Sequence, residues 1–529
     1  MTTNSSAAAN RQIARAAGTV MAAFVLSNIV GLVRQVLVSR AFGTTGPMDA
    51  FNAAITIPDV LFNLMAGGAL ASAFLPTFTG FLAKENREGA WKLASAVTNL
   101  ASLALAFTSA LAALFAPALV RYVLFALDHE ATPALLDMTT DLLRIILIAP
   151  TIFGVSGMVM SILNAHQKFW LPALAPVFYW IGWILGLVFF VPTMGIYGLA
   201  WGYVLGAFLH LAIQLPDLVK LAGRRYSATL GIGNPAVGEV ARLMAPRLLG
   251  VAAVQLNFVI NTMVAASLGA GSLSAIKVAI MVMTMPLFAI AQSIATAALP
   301  TFSAQVARGE IDEMRASLAS TLRGILLLAI PATVGLILLR QPVVIMLFQR
   351  GAFDATSTEL TAWALLWYTA GLVGHSVVEI LSRAFYALHD TKTPVIVGTA
   401  AMALNAVFSF IFPGMFASAG WLPLGGLALA NSLATALEAT ILVLLMRRRL
   451  KGLNGADIAK GVGQFTLAAL GMALGLLFWI KSFGSLNPWL VGLGGVAAGG
   501  LVYGLGVVLL KVPEIQSVIG FLKRRIRHT

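Results

Sequence analysis

Fourteen stretches of about 20 mostly apolar residues follow one another along the chain, and they limit its fold more than any motif does. Hydrocarbon offers no partner for backbone N–H and C=O groups, so a segment that crosses a membrane forms a helix that satisfies its own. The 529 residues are 59% hydrophobic and 10% charged, which is far from the balance of a soluble domain. The sequence therefore predicts an all-α, polytopic membrane protein with fourteen transmembrane helices. The predicted helices cover residues 18–42, 50–83, 91–124, 142–163, 171–191, 196–218, 240–268, 274–302, 318–339, 361–384, 394–416, 422–446, 462–480 and 489–510.

The net charge of +14, from 34 Lys and Arg against 20 Asp and Glu, could indicate a nucleic-acid partner. Most of these basic residues instead fall in alternate loops, as in the cluster at residues 447–451. Because Lys and Arg are retained on the cytoplasmic side, we expect both termini in the cytoplasm and no nucleic-acid partner. We also expect no signal peptide. The chain has no Cys, which excludes disulfides and thiolate metal sites.

The sequence contains an internal repeat. Residues 71–79 (ASAFLPTFT) match residues 295–303 (ATAALPTFS), and each copy precedes a charged loop. Six predicted helices per copy give both copies the same orientation, so we predict two six-helix lobes in parallel repeat, at residues 1–233 and 234–450. Helices 13 and 14 follow at residues 451–511. Residues 512–529 form a basic amphipathic tail that we expect on the inner leaflet.

Polar side chains recur at helical spacing inside several predicted spans. Such residues are costly in hydrocarbon and usually face a cavity or the interior of the bundle. The polar stripes comprise Asn28, Gly31, Arg34 and Gln35 on helix 1, with Asp49 beyond it; Asn52, Thr56, Asp59, Asn63 and Gly67 on helix 2; Arg247, Gly250, Asn257 and Asn261 on helix 7; and Lys277 and Thr284 on helix 8. Taken singly, most of these residues favour helix–helix contacts. Taken together, Arg34, Arg247 and Lys277 favour a cationic cavity.

Three acids within the predicted spans are candidates for ion coupling, namely Asp59, Glu379 and Glu438. Glu379 precedes Arg383 by four residues, a spacing that favours an ion pair and a structural role. Glu438 ends a polar stripe on helix 12 and is open to either a proton-binding or a hydrogen-bonding role. No P-loop, metal-ligand cluster or nucleophile with a paired base occurs, so we predict neither an enzyme nor a metal cofactor.

Several segments resemble the MurJ (MviN) family of lipid II flippases, in the superfamily that includes MATE drug exporters. They are Gly31-Leu-Val-Arg-Gln35, Met48-Asp-Ala-Phe51, Ile57-Pro58, the run from Gly67 to Pro76, Pro246-Arg-Leu-Leu-Gly250, Ile260-Asn-Thr262, Phe348-Gln-Arg-Gly-Ala-Phe353 and the run from Phe385 to Pro394. The resemblance implies a transporter of the bacterial cytoplasmic (inner) membrane. It would carry lipid II, the undecaprenyl-pyrophosphoryl disaccharide-pentapeptide, to the outer leaflet by alternating access. It also implies membrane lipids and the peptidoglycan synthesis machinery as partners, and a lipid-tail groove at helices 13 and 14.

The chain departs from the family pattern at several cavity positions. Members commonly carry Arg where this sequence has Asn28 and Asn63, and Arg and Glu where it has Met281 and Thr284; Arg34 and Asp49 match. Our hypothesis is that Arg34, Arg247 and Lys277 bind the pyrophosphate instead. The alternatives are a MATE-like small-molecule exporter coupled to Na⁺ or H⁺ and a non-transporting scaffold homologue. The residues leave open whether Na⁺, H⁺ or membrane potential drives transport.

Overall fold

The computed structural model describes residues 2–65 and 69–516, and its regular structure there is entirely helical. The chain divides into two compact units, Met1–Ala270 and Gly271–Thr529. The first unit contains helices α1 (Thr2–Phe42), α2 (Gly46–Met65), α3 (Ala69–Ala83), α4 (Arg87–Leu114), α5 (Ala116–Leu119), α6 (Pro133–Ile146), α7 (Ala149–Ala165), α8 (Trp170–Leu185), α9 (Val191–Met194), α10 (Ile196–Ala212), α11 (Leu215–Val219) and α12 (Pro235–Ala266).

The second unit begins one helix later than the predicted boundary between lobes at residue 233. Predicted helix 7 is α12, and it packs against α2 and α3 in the first unit. The second unit contains helices α13 (Ser272–Pro286), α14 (Ser293–Ala307), α15 (Ile311–Leu338), α16 (Arg340–Phe348), α17 (Ala355–Ala370), α18 (Leu372–Ala387), α19 (Lys392–Ser418), α20 (Leu424–Arg449), α21 (Gly455–Phe483) and α22 (Pro488–Leu509). The predicted basic tail lies largely outside the described residues, as does Gly67 of the helix 2 stripe.

The prediction of a polytopic membrane protein is confirmed. Within the described residues, eleven helical segments are long and apolar enough to cross a membrane, or up to 13 if each of two bent pairs forms one span. The second predicted span consists of α2 and α3, which are separated by residues outside the described part. The exact number of fourteen therefore stays a prediction.

Several predicted spans are broken rather than continuous. The tenth is two helices, α17 and α18, bent by 44° at Gly371. The eighth changes from α to π geometry after Pro286, over Leu287–Gln292, because proline removes one backbone donor from the ladder. The two copies of the Leu-Pro-Thr-Phe repeat occupy α3 and α14, with Pro76 and Pro300 inside these helices.

In or next to two of the segments that resemble the family, an aspartate accepts hydrogen bonds at the start of a helix. Asp354, which follows the Phe348–Phe353 segment, accepts a hydrogen bond from the Ser357 backbone N–H at 2.8 Å and caps α17. Asp390 accepts from the backbone N–H of Thr393 at 3.0 Å and from its hydroxyl at 2.8 Å, at the start of α19. These hydrogen bonds to Thr393 hold the pKa of the Asp390 carboxyl below its usual range. The segments therefore fix the starts of two helices.

Glycines allow α8 and α10 to approach to backbone contact. A Cβ atom built on Gly182 would lie 2.2 Å from the Cα of Gly206, and one on Gly186, in the π-helical turn Gly186–Phe190 that continues α8, would lie 2.3 Å from the Cα of Gly202. Since lipid tails are as apolar as leucine, membrane helices associate through close packing, and residues without side chains make the closest contacts. The Gly182–Gly206 and Gly186–Gly202 contacts thus set the spacing of two helices that carry much of the site described below.

A partly buried ion pair joins the end of the described chain to α15. The Arg323 guanidinium donates to both carboxylate oxygens of Glu514, at 2.5 and 3.0 Å, and also to the backbone carbonyl of Asp457. Tyr503 on α22 adds a buried hydrogen bond of 2.7 Å to the Leu327 carbonyl. These contacts fasten α21, α22 and the segment after them to α15 within the second unit.

We predict that Gly182→Ala destabilises the protein by about 1–3 kcal/mol, because its methyl group would overlap the α10 backbone, which no rotamer change can relieve. The thermal unfolding midpoint in detergent measures this effect. Gly471→Ala is the matched control, since a Cβ atom there meets nothing within 4 Å. Equal midpoints for the two variants would contradict the proposed packing role.

We predict that Glu514→Gln lowers stability by about 1–2 kcal/mol at neutral pH, a modest value because Glu514 is partly exposed. The hydrogen bonds from Arg323 lower the pKa of Glu514 from its ordinary value of 4.5. The stabilisation is therefore present above pH 4.5 and is lost as the pH falls through the lower folded-state pKa. Melting curves of wild type and Glu514→Gln should converge once the pH falls below the folded-state pKa of Glu514, and a gap that stays constant as the pH falls from about 7 through that range would refute this assignment.

Candidate functional site

Arg34, on α1, lies against two tryptophan rings of α8. Its Cζ atom is 4.4 Å from the ring centroid of Trp180 and 4.5 Å from that of Trp183. Its Nε atom is buried and has no hydrogen-bond partner, and Arg34 forms no ion pair with any described residue. Cation–π attraction contributes about 2 kcal/mol when the cation is desolvated. Aromatic faces thus take the place of an acid beside this cation.

The packing of α8 fixes both indole rings. Gly31 lies one turn before Arg34, and a Cβ atom there would be 3.3 Å from the Trp180 Nε1 atom, so its lack of a side chain gives the ring room. Trp183 is 4% exposed and meets the Phe51 ring edge-on at 5.4 Å. The two tryptophans follow the turn spacing of α8, as Gly31 and Arg34 follow that of α1.

Asp59 of the helix 2 stripe reaches the same aromatic cluster. Its Oδ1 atom accepts a hydrogen bond of 3.0 Å from the Tyr203 hydroxyl of α10. The Tyr203 ring lies 5.5 Å from Trp183 and 5.7 Å from Tyr179. Arg34 and Asp59, predicted from separate stripes, are therefore joined through aromatic side chains. They do not form an ion pair.

The rest of the helix 2 stripe faces several neighbours. Thr56 is buried, and its Oγ1 atom lies 3.3 Å from that of Thr262 on α12. The Asn52 carbonyl accepts a bond of 3.3 Å from Thr56, Asp49 is buried at the start of α2, and Asn63 is half-buried. The Thr56–Thr262 contact is the kind of helix–helix contact that we expected of single polar residues.

Asn28, Gln35 and Asn257 take part in hydrogen bonds within their own helices. Asn28 is exposed and donates to the Phe24 carbonyl at 2.8 Å, and Gln35 donates to the Ser39 hydroxyl at 3.3 Å. On α12, Asn261 donates to the carbonyl of Asn257 at 2.8 Å, and Arg247 is exposed. Asn28 and Gln35 therefore hydrogen-bond within α1 rather than to the aromatic residues around Arg34.

In the second unit, Lys277 is exposed on α13, while Thr284 is half-buried and donates to the carbonyl of Met281 at 2.9 Å. Convergence of Lys277 with Arg34 and Arg247 stays a prediction. Among the described residues, no group of three or more His, Cys, Asp or Glu side chains is arranged to hold a metal ion.

The acids of the second unit differ in their partners. The expected ion pair of Glu379 is confirmed, with Arg383 at 2.6 Å, and Gln292 of the π-helical turn adds a hydrogen bond of 3.2 Å. Glu438 is half-buried, lies close to Gly398 of α19, and has no hydrogen bond or ion pair with any described residue. The charge of Glu379 is therefore already neutralised by Arg383, whereas Glu438 has no such partner among the described residues.

The MurJ lipid II flippase family model matches residues 38–494. The chain belongs to this family. The lipid II flippase MurJ of Burkholderia cenocepacia is 31% identical over 477 residues, which cover 88% of this chain and 89% of the relative. The probable lipid II flippase MurJ of Vibrio cholerae is 30% identical and covers 80% of this chain and 81% of its own length. The MurJ family is one of transporters rather than of catalytic enzymes.

A solved structure of lipid II flippase MurJ in an inward closed conformation has a TM-score of 0.79 at 26% identity, and the match covers 94% of this chain and 99% of that one. An inward-facing MATE multidrug transporter has a TM-score of 0.66 at 14% identity, covering 81% and 96%, which shows a shared fold alone. The resemblance to the MurJ family is confirmed, and the MATE transporter shares the fold.

Sequence reasoning missed the tryptophans that hold Arg34. Aromatic residues are common throughout apolar helices, so Trp180 and Trp183 carry no polar signal in the sequence. The glycine spacing was an available signal, because Gly182 and Gly186 are four residues apart, as are Gly202 and Gly206. Such a pattern predicts where α8 meets another helix and hence which aromatic side chains are held inside.

Proposed function

We propose that the chain moves lipid II, the undecaprenyl-pyrophosphate-linked peptidoglycan precursor, from the inner to the outer leaflet of the bacterial cytoplasmic membrane. Arg34 carries this proposal, since it is a half-buried cation, with a buried Nε atom, whose guanidinium has no carboxylate partner among the described residues. A guanidinium matches two phosphate oxygens at once. Membership of the MurJ family supports the identity of the substrate.

The two parts of lipid II need different surroundings. The pyrophosphate and the sugar–peptide headgroup cannot cross hydrocarbon without replacement of their hydration, which a polar, cationic cavity supplies. The polyprenyl tail can stay in lipid or lie in a groove at α21 and α22. These helices carry large exposed apolar side chains, among them Leu474, Phe478 and Leu501, which favour such a contact.

We propose alternating access as the mode of transport, with Arg34, Arg247 and Lys277 forming the phosphate-binding set. A ligand shifts a conformational equilibrium only through different affinities for its two states. The set must therefore bind the pyrophosphate in one state and release it in the other. Both termini lie in the cytoplasm in this scheme, in keeping with the distribution of Lys and Arg.

For energy coupling we propose a proton or Na⁺ carried by an acid, with the membrane potential as the alternative source. The candidates are Asp59, Glu379 and Glu438. Glu438 fits best, because Glu379 already pairs with Arg383 and Asp59 accepts a hydrogen bond from Tyr203. A carboxyl group in a membrane helix is costly and is usually kept there for a function.

We predict that Arg34→Gln abolishes growth when it is the sole flippase of a flippase-depleted bacterium, and that Lys277→Ala does so too. Loss of a charge-assisted hydrogen bond of about 1.5–3 kcal/mol weakens phosphate binding about 10-fold or more. Arg308→Gln is the control, because Arg308 is exposed and pairs with Glu310 in a loop. Blots of the membrane fraction check expression.

The outcomes of the complementation test separate the hypotheses. Growth supported by wild type favours a flippase, because a MATE-like exporter or a scaffold would fail to restore viability. If Lys277→Ala supports growth while Arg34→Gln does not, the hypothesis that Lys277 replaces the family's arginine is wrong. Growth of the Arg34→Gln strain would contradict the proposed binding role of Arg34.

We predict that Glu438→Gln removes the dependence of flipping on an imposed proton or Na⁺ gradient in reconstituted vesicles, because the amide cannot be charged. Glu359→Gln, which changes an exposed acid of α17, should leave that dependence unchanged. Retained gradient dependence in Glu438→Gln would exclude this acid and leave Asp59 or the membrane potential.

A further inference from the structure

Arg34 differs from the other arginines whose contacts are known within the spans. Arg323 donates to Glu514, Arg383 to Glu379, and Arg340 to the carbonyl of Ile337 at 2.7 Å. Each of these guanidinium groups therefore has an oxygen acceptor within the protein. Arg34 has two indole faces and, among the described residues, no oxygen acceptor.

The two kinds of partner have opposite effects on an incoming anion. A carboxylate uses the guanidinium N–H groups and adds a negative charge that repels phosphate. An aromatic face attracts the cation through the ring quadrupole and uses none of its N–H groups. A guanidinium over two indole rings thus keeps both its charge and its donors.

We infer that Trp180 and Trp183 are positioning residues, which hold the Arg34 guanidinium ready to bind the pyrophosphate of a lipid-linked ligand. This inference rests on the proposed function. The tryptophans act through Arg34 and need not touch the ligand. This arrangement favours a doubly charged pyrophosphate group over a neutral lipid. The ligand must supply the hydrogen-bond acceptors that the described residues do not offer to Arg34.

The rings have supports of their own, which makes them suited to hold a cation. The Tyr179 ring lies tilted against that of Trp180, with centroids 4.5 Å apart, and Trp183 lies against Phe51 and Tyr203. Tyr203 is in turn hydrogen-bonded to Asp59. The acid therefore holds the Tyr203 hydroxyl in place and does not pair with Arg34.

The test is a double-mutant cycle on the purified full-length protein, with affinity for polyprenyl pyrophosphate measured by native mass spectrometry. Polyprenol and inorganic pyrophosphate serve as probes that carry only the tail or only the charge. We expect Trp183→Leu and Trp180→Leu each to weaken binding of polyprenyl pyrophosphate about 5- to 10-fold, and Trp183→Phe to retain most of the affinity. In an Arg34→Gln background, Trp183→Leu should change affinity less than about 2-fold.

Trp367→Leu is the matched control, because this half-buried tryptophan packs among aromatic rings with no arginine over its face. It removes equal bulk and should leave affinity unchanged. Near-UV circular dichroism gives a readout independent of ligand: Arg34→Gln should alter the spectrum of wild type but not that of the Trp180→Phe/Trp183→Phe variant.

Each outcome decides a separate point. If Trp183→Leu weakens binding equally in the wild-type and the Arg34→Gln backgrounds, the tryptophan acts independently of Arg34 and the inference is wrong. If Arg34→Gln weakens binding but neither tryptophan variant does, it is also wrong. Equal affinity of wild type for polyprenyl pyrophosphate and polyprenol would overturn the proposed function itself, while binding of inorganic pyrophosphate alone would assign the site to free anions rather than lipid.

Discussion

Hydrocarbon solvates neither backbone polar groups nor charges, and this constraint accounts for most of the structure. It makes each spanning segment helical, and it removes the hydrophobic drive that would press helices together in water. Contact between helices then depends on how closely their surfaces fit. This explains why Gly182 and Gly186 lie against Gly206 and Gly202, where α8 and the turn that continues it meet α10. The same constraint requires that every cation inside the bundle be stabilised by the protein or by a ligand.

The chain meets that requirement for arginine in two ways. At Arg323 a bidentate carboxylate neutralises the charge and fastens α21 and α22 to α15, so the arginine has a structural role. At Arg34 two indoles stabilise the charge without neutralising it. The first arrangement resists anions and the second attracts them, although the two side chains are chemically identical. Partner chemistry, more than burial, separates a structural arginine from a binding one.

The fold was predictable from the sequence to the extent that it depends on local patterns. Apolar length indicated the membrane class, and the four-residue spacing indicated the Glu379–Arg383 pair, because both ends lie on one helix. The bend at Gly371 was not predictable, since a glycine in an apolar run does not by itself end a helix. The Arg323–Glu514 pair joins residues 191 positions apart, and the contact of Arg34 with the rings of Trp180 and Trp183 joins α1 to α8. Such contacts depend on how helices pack, which a single sequence does not encode in any local period.

The difference between an arginine paired with an acid and one held by aromatic rings bears on the positions where the chain departs from the family pattern. The resemblance to the family implies arginine where this chain has Asn28, Asn63 and Met281, and on that expectation the chain has fewer cations with which to balance a pyrophosphate. With fewer cations, each one that remains contributes more to binding of the pyrophosphate if no acid neutralises it. Asp59 illustrates the point, since it accepts a hydrogen bond from Tyr203 and does not pair with Arg34, whose charge is therefore not neutralised by this acid. A binding site with few charges can therefore depend on where its acids are placed as much as on how many bases it has.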